Sequence, residues 1–206
     1  MHGLLLLNGK QPSKELLLDL WDQARLRVCA DGAVENLAQY DLVPDVILGD
    51  LDSISSKAIE LFKDRSLILP MKDQNTTDGE KAIQYCLDQG CQTLSVLGAL
   101  GKRTDHGLYN LGLLGKWSDI KITLLADGEK IFLIKGQALL NEKIGTTISF
   151  MPLFGPVKCV ETTGLEFPMN NQELSFGYLS SISNKSTGSQ VRITLESGML
   201  LVCISQ

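Results

Sequence analysis

Apolar and polar residues alternate in two different patterns along the first 134 residues of the chain. Short apolar runs predict buried strands, and the stretches between them, with apolar residues at helical spacing, predict amphipathic helices. The predicted strands are residues 4–7, 26–30, 45–48, 66–69, 93–97, 120–125 and 130–134. The predicted helices are residues 15–24, 33–40, 56–63, 78–89 and 105–114. Because single helices join successive strands, the pattern indicates an α/β domain with a mostly parallel, Rossmann-like sheet.

The pattern changes at about residue 135, where helical spacing disappears and Gly, Pro and Asn separate short runs rich in Ile, Val, Thr, Ser and Phe. These runs are residues 147–151, 157–162, 177–183, 190–195 and 199–204. Strand-like runs at such close spacing are typical of an antiparallel sandwich or barrel. We therefore predict two domains, an α/β domain in residues 1–134 and an all-β sandwich in residues 135–206.

Composition narrows the classes of function. The chain has 206 residues and a net charge of −5, without a basic block or basic helix, so we expect no binding to nucleic acid or to an anionic membrane. Its five cysteines are odd in number and lack a C-x-x-C pair, which indicates a reducing cytosol rather than a zinc site or disulfides. No apolar run approaches the length of a membrane span, and we predict a soluble cytoplasmic protein.

Acidic residues follow three of the predicted strands. Asp50 and Asp52 come directly after residues 45–48, and two positions along an extended chain point the same way. Asp31 follows the preceding strand, and Asp78 opens a later helix. The carboxyl ends of parallel strands share one edge of the sheet, where four carboxylates would repel one another unless a cation lay among them. We predict a Mg²⁺ site there, although each residue alone would also suit a helix cap or a turn.

Two further stretches of the α/β domain carry cationic side chains. Residues 98–106 follow a strand and open a helix, a position where backbone N–H groups bind phosphate, and Arg103 suits bidentate phosphate contact. The stretch matches neither a P-loop nor a dinucleotide fingerprint, and a solvated surface loop is the alternative. Lys81 lies one helical turn after Asp78, where it would reach a bound phosphate or form an ordinary ion pair. We expect His106 to be structural, because a helix N-terminus disfavours its charged form.

These motifs, taken in order, resemble the thiamine pyrophosphokinase family. The resemblance covers nearly the whole chain, including the change to an all-β second half. The matching pieces are residues 30–33, residues 44–53, Asp73-Gln74 with Thr77-Asp78, Gly98-Ala99 with Arg103 and Asp105-His106, and residues 163–165 followed by 181–184.

The resemblance implies an α/β domain that binds ATP and Mg²⁺ and a β-sandwich that binds thiamine. It also implies a homodimer with active sites between subunits. The implied reaction transfers a diphosphate from ATP to the hydroxyl of thiamine, which gives thiamine diphosphate and AMP.

The resemblance also assigns residues. The residues that it implies for Mg²⁺ and the ATP phosphates are Asp31, Asp50, Asp52 and Asp78, with Asp50, Asp52 and Asp78 in catalytic roles and Asp78 a candidate to accept the hydroxyl proton. The residues that it implies for substrate contacts are Gln74, Thr77, Lys81, Arg103 and Asp105, and for the thiamine pocket Ser181, Ser183 and Asn184. Asn75 stands where many relatives have an acidic residue, so it receives no metal role. Residues 185–190 contain no aromatic side chain, so Phe167, Tyr178 or another element must stack on the thiamine ring.

Two other classes of function would share some of these features. A Mg²⁺-dependent nucleotide hydrolase or a kinase for another alcohol would need the carboxylates but not residues 181–184. A thiamine or nucleotide sensor without catalytic activity would tolerate a broken carboxylate group, and here all four carboxylates are present.

Overall fold

The computed structural model describes residues 1–205, leaving aside the side chain of Val160. The chain divides into two compact units, Met1–Asp127 and Gly128–Gln206. The predicted domain boundary, between residues 134 and 135, lies inside the long first strand of the second unit. No helix among residues 1–205 is both long and apolar enough to span a membrane.

The first unit is built on six parallel strands in the order β6-β5-β1-β2-β3-β4. The strands are β1 (His2–Leu6), β2 (Leu26–Ala30), β3 (Val46–Gly49), β4 (Leu67–Pro70), β5 (Thr93–Leu97) and β6 (Lys121–Ala126). The helices between them are α1 (Lys14–Gln23), α2 (Glu35–Ala38), α3 (Ser56–Phe62), α4 (Asp78–Asp88) and α5 (Thr104–Lys116). This confirms the predicted α/β architecture.

Three helices of this unit, α1, α3 and α4, begin where polar side chains cap them. Ser13 accepts a hydrogen bond from the backbone N–H of Leu16 at the start of α1, and Ser55 caps α3 in the same way. Thr77 accepts from the backbone N–H of Glu80 at the start of α4. Such caps satisfy backbone donors that a helix leaves free in its first turn. They set where each helix starts relative to the strand before it.

The strands of the first unit read as continuous apolar runs because both faces of the parallel sheet are covered. Leu4 and Leu6 of β1 and Ile47 of β3 are at most 1% exposed and share a core with side chains of α1 and α3. The strands β1, β3 and β5 are largely buried, and the polar residues that follow such strands collect at the carboxyl edge of the sheet.

The second unit is all-β, and every strand pair in its described part is antiparallel. Its strands are β7 (Glu129–Asn141), β8 (Thr147–Met151), β9 (Val157–Thr163), β10 (Gln172–Leu174), β11 (Ser181–Lys185) and β12 (Gln190–Ser205). β12 pairs with β7 along its length, with β9 in its first half and with β8 in its second half. Ile148, Phe150 and Val191 are 0% exposed in the core between these strands.

Two of the predicted strands are in fact one. Residues 190–195 and 199–204 form the single strand β12. The Glu-Ser-Gly stretch at residues 196–198, which suggested a turn, lies within a register shift of the strand pairing and does not end the strand. The strand predicted at residues 177–183 begins later, at Ser181. The short strand β10 was not predicted.

Candidate active site

The carboxyl ends of β1, β2, β3 and β5, with the first turns of α4 and α5, surround a cavity of about 470 Å³. Six of the predicted site residues of the first unit line it, namely Asp31, Asp50, Asp52, Thr77, Asp78 and Arg103. Lys102 and His106, from the same loop as Arg103, line it too. Gln74, Lys81 and Asp105 do not line it. The edge of the sheet therefore brings together the carboxylates and the cationic loop, which the sequence separates widely.

Three carboxylates form a compact group in this cavity. Asp31 follows β2, Asp50 follows β3 and Asp78 is the first residue of α4, yet one oxygen of each lies within 4.8 Å of the others. Hard divalent cations take carboxylate oxygens from such groups. Among the described residues, this is the only group of acidic, His or Cys side chains so arranged.

The Asp31 side chain shows that a cation fits the group. Its Oδ2 accepts a hydrogen bond from the Ser53 hydroxyl, while its Oδ1 is buried and has no hydrogen-bond partner among the described residues. A buried carboxylate oxygen without a partner is costly, and a cation at the group would satisfy it. The backbone of Asp31 also adopts a left-handed conformation, with φ 44°, which orients the side chain away from the direction of the strand.

Asp52 lies beside this group but outside it. Strand β3 ends at Gly49, and Leu51, between Asp50 and Asp52, is left-handed with φ 65°, so the chain is not extended there; the group consists of Asp31, Asp50 and Asp78 without Asp52. The backbone N–H of Asp52 instead donates to Oδ1 of Asp50 at 3.3 Å. The charge and hydrogen bond of Asp50 are the main causes that raise the pKa of Asp52 above its usual range.

Lys81 is held against the carboxylate group. Its Nζ lies 3.1 Å from Oδ1 of Asp78, and its side chain is only 9% exposed. The ammonium group is therefore largely removed from solvent and fixed one helical turn from the cavity.

A second buried charge fixes α4 against α5. Glu80 is 6% exposed and accepts hydrogen bonds from the Tyr109 hydroxyl at 2.6 Å and from the Lys116 ammonium group. The Lys116 hydrogen bond, followed by that of Tyr109, lowers the pKa of Glu80. Since Asp78 is two residues away on the same helix, this contact helps to set where Asp78 stands.

The loop before α5 presents its cations at the cavity. Arg103 Nη2 lies 2.5 Å from Oδ2 of Asp105, and both side chains are mostly exposed. This pair, together with a hydrogen bond from the backbone N–H of His106, lowers the pKa of Asp105 to about 2. Lys102 donates to Oδ1 of Asn8, at the end of β1, at 2.9 Å. Asp105 thus holds Arg103, and Asn8 holds Lys102.

The polar loop before α4 is shaped by its own side chains. Asp73 accepts from the backbone and side chain of Asn75 and from the Thr76 hydroxyl, and the Thr76 hydrogen bond is the main cause that lowers the pKa of Asp73. Thr77 caps the helix, and Gln74 is exposed. In the structure Asp73 therefore shapes this loop, and Thr77 sets the start of α4.

In the second unit, Asn184 is committed to its own chain. It is 1% exposed, donates to the carbonyl of Phe167 at 2.6 Å and to the Ser181 hydroxyl at 2.9 Å, and accepts from the backbone N–H of Phe167 at 3.1 Å. Ser183 is exposed and left-handed, with φ 56°, in the bulge between Ser181 and Asn184. Phe167 and Tyr178 are 64% and 93% exposed. Asn184 thus holds an exposed aromatic residue and a serine in fixed positions.

Three residues that line the cavity were not singled out from the sequence for a role there. Asn8 follows β1, Asn110 donates to the carbonyl of Ala99 at 2.8 Å, and Ser53 contacts Asp31. Asn8 could have been found, because it ends a strand at the same edge of the sheet as Asp31. The hydroxyl of Ser53 was interpreted only as a helix cap, a role that Ser55 fills.

The fold and the cavity define a class of protein. The carboxyl edge of its parallel sheet carries a group of carboxylates beside a cationic loop. This arrangement is typical of an enzyme that transfers phosphoryl groups.

Comparison with known proteins identifies the family. A family model described as the catalytic domain of thiamin pyrophosphokinase matches residues 17–126, and one described as its vitamin B1 binding domain matches residues 137–200. Thiamine pyrophosphokinase 1 of Oryza sativa subsp. japonica is 32% identical over 97% of this chain and 85% of the relative. Thiamin pyrophosphokinase 1 of Caenorhabditis elegans is 34% identical over 88% of this chain and 80% of the relative. The chain belongs to the thiamin pyrophosphokinase family.

Solved structures agree on the fold. Thiamine pyrophosphokinase from Bacillus subtilis superposes with a TM-score of 0.87 at 22% identity, covering 100% of this chain and 99% of the other. Thiamin pyrophosphokinase from Candida albicans gives a TM-score of 0.87 at 22% identity, covering 99% and 88%. At this identity the likeness establishes the architecture of the chain.

Proposed function

We propose that this chain catalyses the transfer of a diphosphate group from ATP to the hydroxyl of thiamine, which gives thiamine diphosphate and AMP. The observation that carries the proposal is the match of both parts of the chain, in order, to the catalytic and vitamin B1 binding models of one family. The group of three carboxylates in the first unit is the chemical counterpart of that match.

Mg²⁺ fits the carboxylate group, because one oxygen each of Asp31, Asp50 and Asp78 lies within 4.8 Å of the others and Oδ1 of Asp31 is buried without a partner among the described residues. These three residues would hold the ion, and Asp52 lies beside them on the cavity wall. Bound there, Mg²⁺ would neutralise charge on phosphate oxygens, which is its usual contribution to displacement at phosphorus.

The cationic residues bind and orient the triphosphate. Lys102 and Arg103 line the cavity, and Asp105 holds Arg103 through its Nε and Nη2, so Nη1 is the guanidinium nitrogen that this contact leaves for phosphate. Lys81 supplies a further positive charge behind Asp78. Gln74 and Thr77, which flank the start of α4, complete the substrate contacts in this proposal.

The chemical step forms one bond and breaks one. The hydroxyl oxygen of thiamine bonds to the β-phosphorus of ATP, and the bond from that phosphorus to the oxygen bridging to the α-phosphorus breaks, so AMP leaves. A carboxylate of the group accepts the hydroxyl proton, and we assign that role to Asp78. Asp50 and Asp52 are the other catalytic residues in this proposal.

Thiamine binding is assigned to the second unit. Ser181 and Ser183 offer hydroxyls to the polar heterocycle, and Asn184 keeps Ser181 and Phe167 in place through three hydrogen bonds, two with the backbone of Phe167 and one with Ser181. Phe167 and Tyr178 are exposed aromatic residues of this unit and are candidates to stack on the thiamine ring.

The assembly and location are also proposals. We propose a homodimer with active sites between subunits, a cytoplasmic protein and no nucleic-acid partner. All five cysteines are free thiols, which suits a reducing compartment.

An exchange of one carboxylate for an amide tests the cation site. Asp50→Asn keeps the shape of the side chain and removes its charge, so we expect turnover to fall by more than about 100-fold while the circular dichroism spectrum is unchanged. Asp52→Asn should also remove most turnover. Asp64→Asn, an exposed acidic residue that does not line the cavity, is the matched control and should keep full activity. Wild-type turnover in Asp50→Asn would refute the cation site.

A product assay with and without thiamine separates the proposal from its alternatives. Purified protein is mixed with ATP and Mg²⁺, and the release of AMP and ADP is quantified by chromatography, with EDTA as a control. The proposal predicts AMP that depends on both thiamine and Mg²⁺. AMP or ADP without thiamine would identify a hydrolase, and measurable thiamine binding without turnover would identify a sensor.

A further inference from the structure

The hydroxyl of Ser53 joins two loops of the first unit. Ser53 lies after β3, and its hydroxyl donates to Oδ2 of Asp31, which lies after β2. The same hydroxyl oxygen accepts a hydrogen bond from the backbone N–H of Gly32 at 3.1 Å. The Ser53 hydroxyl is therefore both a donor to and an acceptor from the short segment of residues 31–32.

This contact occupies one oxygen of Asp31 and leaves the other without a partner among the described residues. A serine hydroxyl has a single proton, and here it is committed to Oδ2. Oδ1 is left buried without a hydrogen-bond partner among the described residues, and one oxygen of Asp31 lies within 4.8 Å of one oxygen each of Asp50 and Asp78. Without the hydroxyl, Asp31 would lose the hydrogen bond that fixes the rotation of its carboxylate.

The surrounding backbone is arranged for the close approach of Ser53. Asp31 is left-handed, with φ 44°, a conformation that costs free energy in a residue other than glycine. A Cβ on Gly32 would lie 2.6 Å from the hydroxyl oxygen of Ser53, so the absence of a side chain there makes the contact possible. Ser53 does not cap α3, because Ser55 does.

We propose that Ser53 is a positioning residue, which holds Asp31 so that its Oδ1 is presented to a divalent cation shared with Asp50 and Asp78. The inference rests on the cation site of the proposed function and adds a residue to it. Hydrogen-bond partners of metal ligands orient the ligand oxygens and raise the affinity for the metal.

The test measures cation binding directly, without nucleotide or turnover. Mn²⁺ replaces Mg²⁺, and the free ion is quantified by electron paramagnetic resonance. We expect Ser53→Ala to bind Mn²⁺ about 10-fold more weakly than the wild type. Ser53→Thr keeps the hydroxyl at an exposed position and should bind like the wild type. Ser55→Ala is the matched control, because it removes a hydroxyl from the same loop and lowers stability through the lost cap without weakening Mn²⁺ binding.

A double-mutant cycle with Asp31→Asn tests whether Ser53 acts through Asp31. Once Asp31 is replaced, Ser53→Ala should weaken Mn²⁺ binding no further, and the two effects should be non-additive. In turnover assays, Ser53→Ala should raise the Mg²⁺ concentration for half-maximal rate about 10-fold and leave the rate at saturating Mg²⁺ close to wild type. A general loss of structure would lower the saturated rate instead.

The outcomes separate this inference from the proposed function. Unchanged Mn²⁺ affinity in Ser53→Ala, or full additivity with Asp31→Asn, overturns the positioning role even if thiamine diphosphate is formed. Weaker Mn²⁺ binding in Ser53→Ala, restored in Ser53→Thr, supports it even if the protein makes another product. Absence of Mn²⁺ binding by the wild type overturns both the cation site and the role of Ser53.

Discussion

Gly49 is the point at which β3 passes into the carboxylate group, and its geometry excludes a side chain. Its φ is 143°, and a Cβ there would lie 3.0 Å from Cβ of Asp31 and 3.4 Å from Oδ1 of Asp78. A side chain at this position would therefore meet two of the three carboxylate residues directly. Gly49 is both the end of the strand and part of the wall against which the carboxylates pack.

Gly49→Ala should damage activity more than stability. We expect backbone strain to lower the free energy of unfolding by about 1–3 kcal/mol. Displacement of the carboxylates should lower the rate of thiamine diphosphate formation about 100-fold. Gly90→Ala is the control, since Gly90 also has a positive φ, 83°, but nothing lies within 4 Å of its Cβ position. Equal activity losses in the two variants would show that strain alone explains the effect.

The stabilising contribution of the Arg103–Asp105 ion pair depends on pH, and the lowered pKa of Asp105 fixes the direction of that dependence. Because the pKa of Asp105 is lowered to about 2, the contribution of the pair is present above the ordinary value of 3.8 and is lost as pH falls from there through about 2. In a carbon-detected NMR titration, Asp105 should remain largely ionised at pH 3.8, and in Arg103→Ala it should be more protonated there, with the hydrogen bond from the His106 N–H still lowering its pKa. Equal protonation in both proteins would remove Arg103 as the cause.

At the scale of whole elements, the position of α4 depends on a buried charge. Glu80 joins α4 to Tyr109 and Lys116 of α5, and its pKa is lowered by them, with Lys116 first. Its stabilising contribution is therefore present above the ordinary pKa of 4.5 and is lost as pH falls through the lowered value.

Glu80→Gln should destabilise the protein in a pH-dependent way. We expect a loss of about 1–3 kcal/mol in the free energy of unfolding at pH 7, measured by urea denaturation. The difference from the wild type should shrink below pH 4.5. Glu60→Gln is the control, because its ion pair with Lys63 is 71% exposed on the Glu60 side and should contribute less than about 1 kcal/mol. A pH-independent loss in Glu80→Gln would contradict the role of its charge.

Most of the elements could be predicted from the sequence because their signals are local. β2, β5 and β8 have the predicted bounds, and Ser13 and Thr77 cap the helices that follow them. The failures arose where a long-range pairing overrides a local signal. Gly198 suggested a turn, but pairing with β9 extends to Ser197 and pairing with β7 resumes at Met199, so β12 runs on as one strand.

The grouping of carboxylates at one edge followed from sheet topology, but the exact set did not. The left-handed Leu51 interrupts the extended chain between Asp50 and Asp52, and the group contains Asp31, Asp50 and Asp78 without Asp52. Strand alternation carries no information about such a loop. The hydrogen bond between Ser53 and Asp31 joins residues 22 positions apart, and no periodic pattern in the sequence predicts it.

At the scale of the whole molecule, the proposed dimer predicts that two inactive variants restore activity when their subunits are mixed. If each active site takes Asp50 from one subunit and Ser181 from the other, mixed dimers of Asp50→Asn and Ser181→Ala protomers contain one intact site. Random exchange after unfolding and refolding the mixture should restore about a quarter of wild-type activity. Two portions refolded separately and then combined without exchange are the control. No recovery after exchange would place both residues in a site within one subunit.

The central claim is a single transfer of diphosphate, and phosphorus NMR observes it most directly. Purified protein, ATP, Mg²⁺ and thiamine are combined, and the ³¹P signals of all phosphorylated species are followed over time. The account predicts that AMP and thiamine diphosphate appear together in equal amounts, without ADP or thiamine monophosphate as an intermediate. Formation of ADP with thiamine monophosphate, or of AMP without thiamine diphosphate, would contradict it.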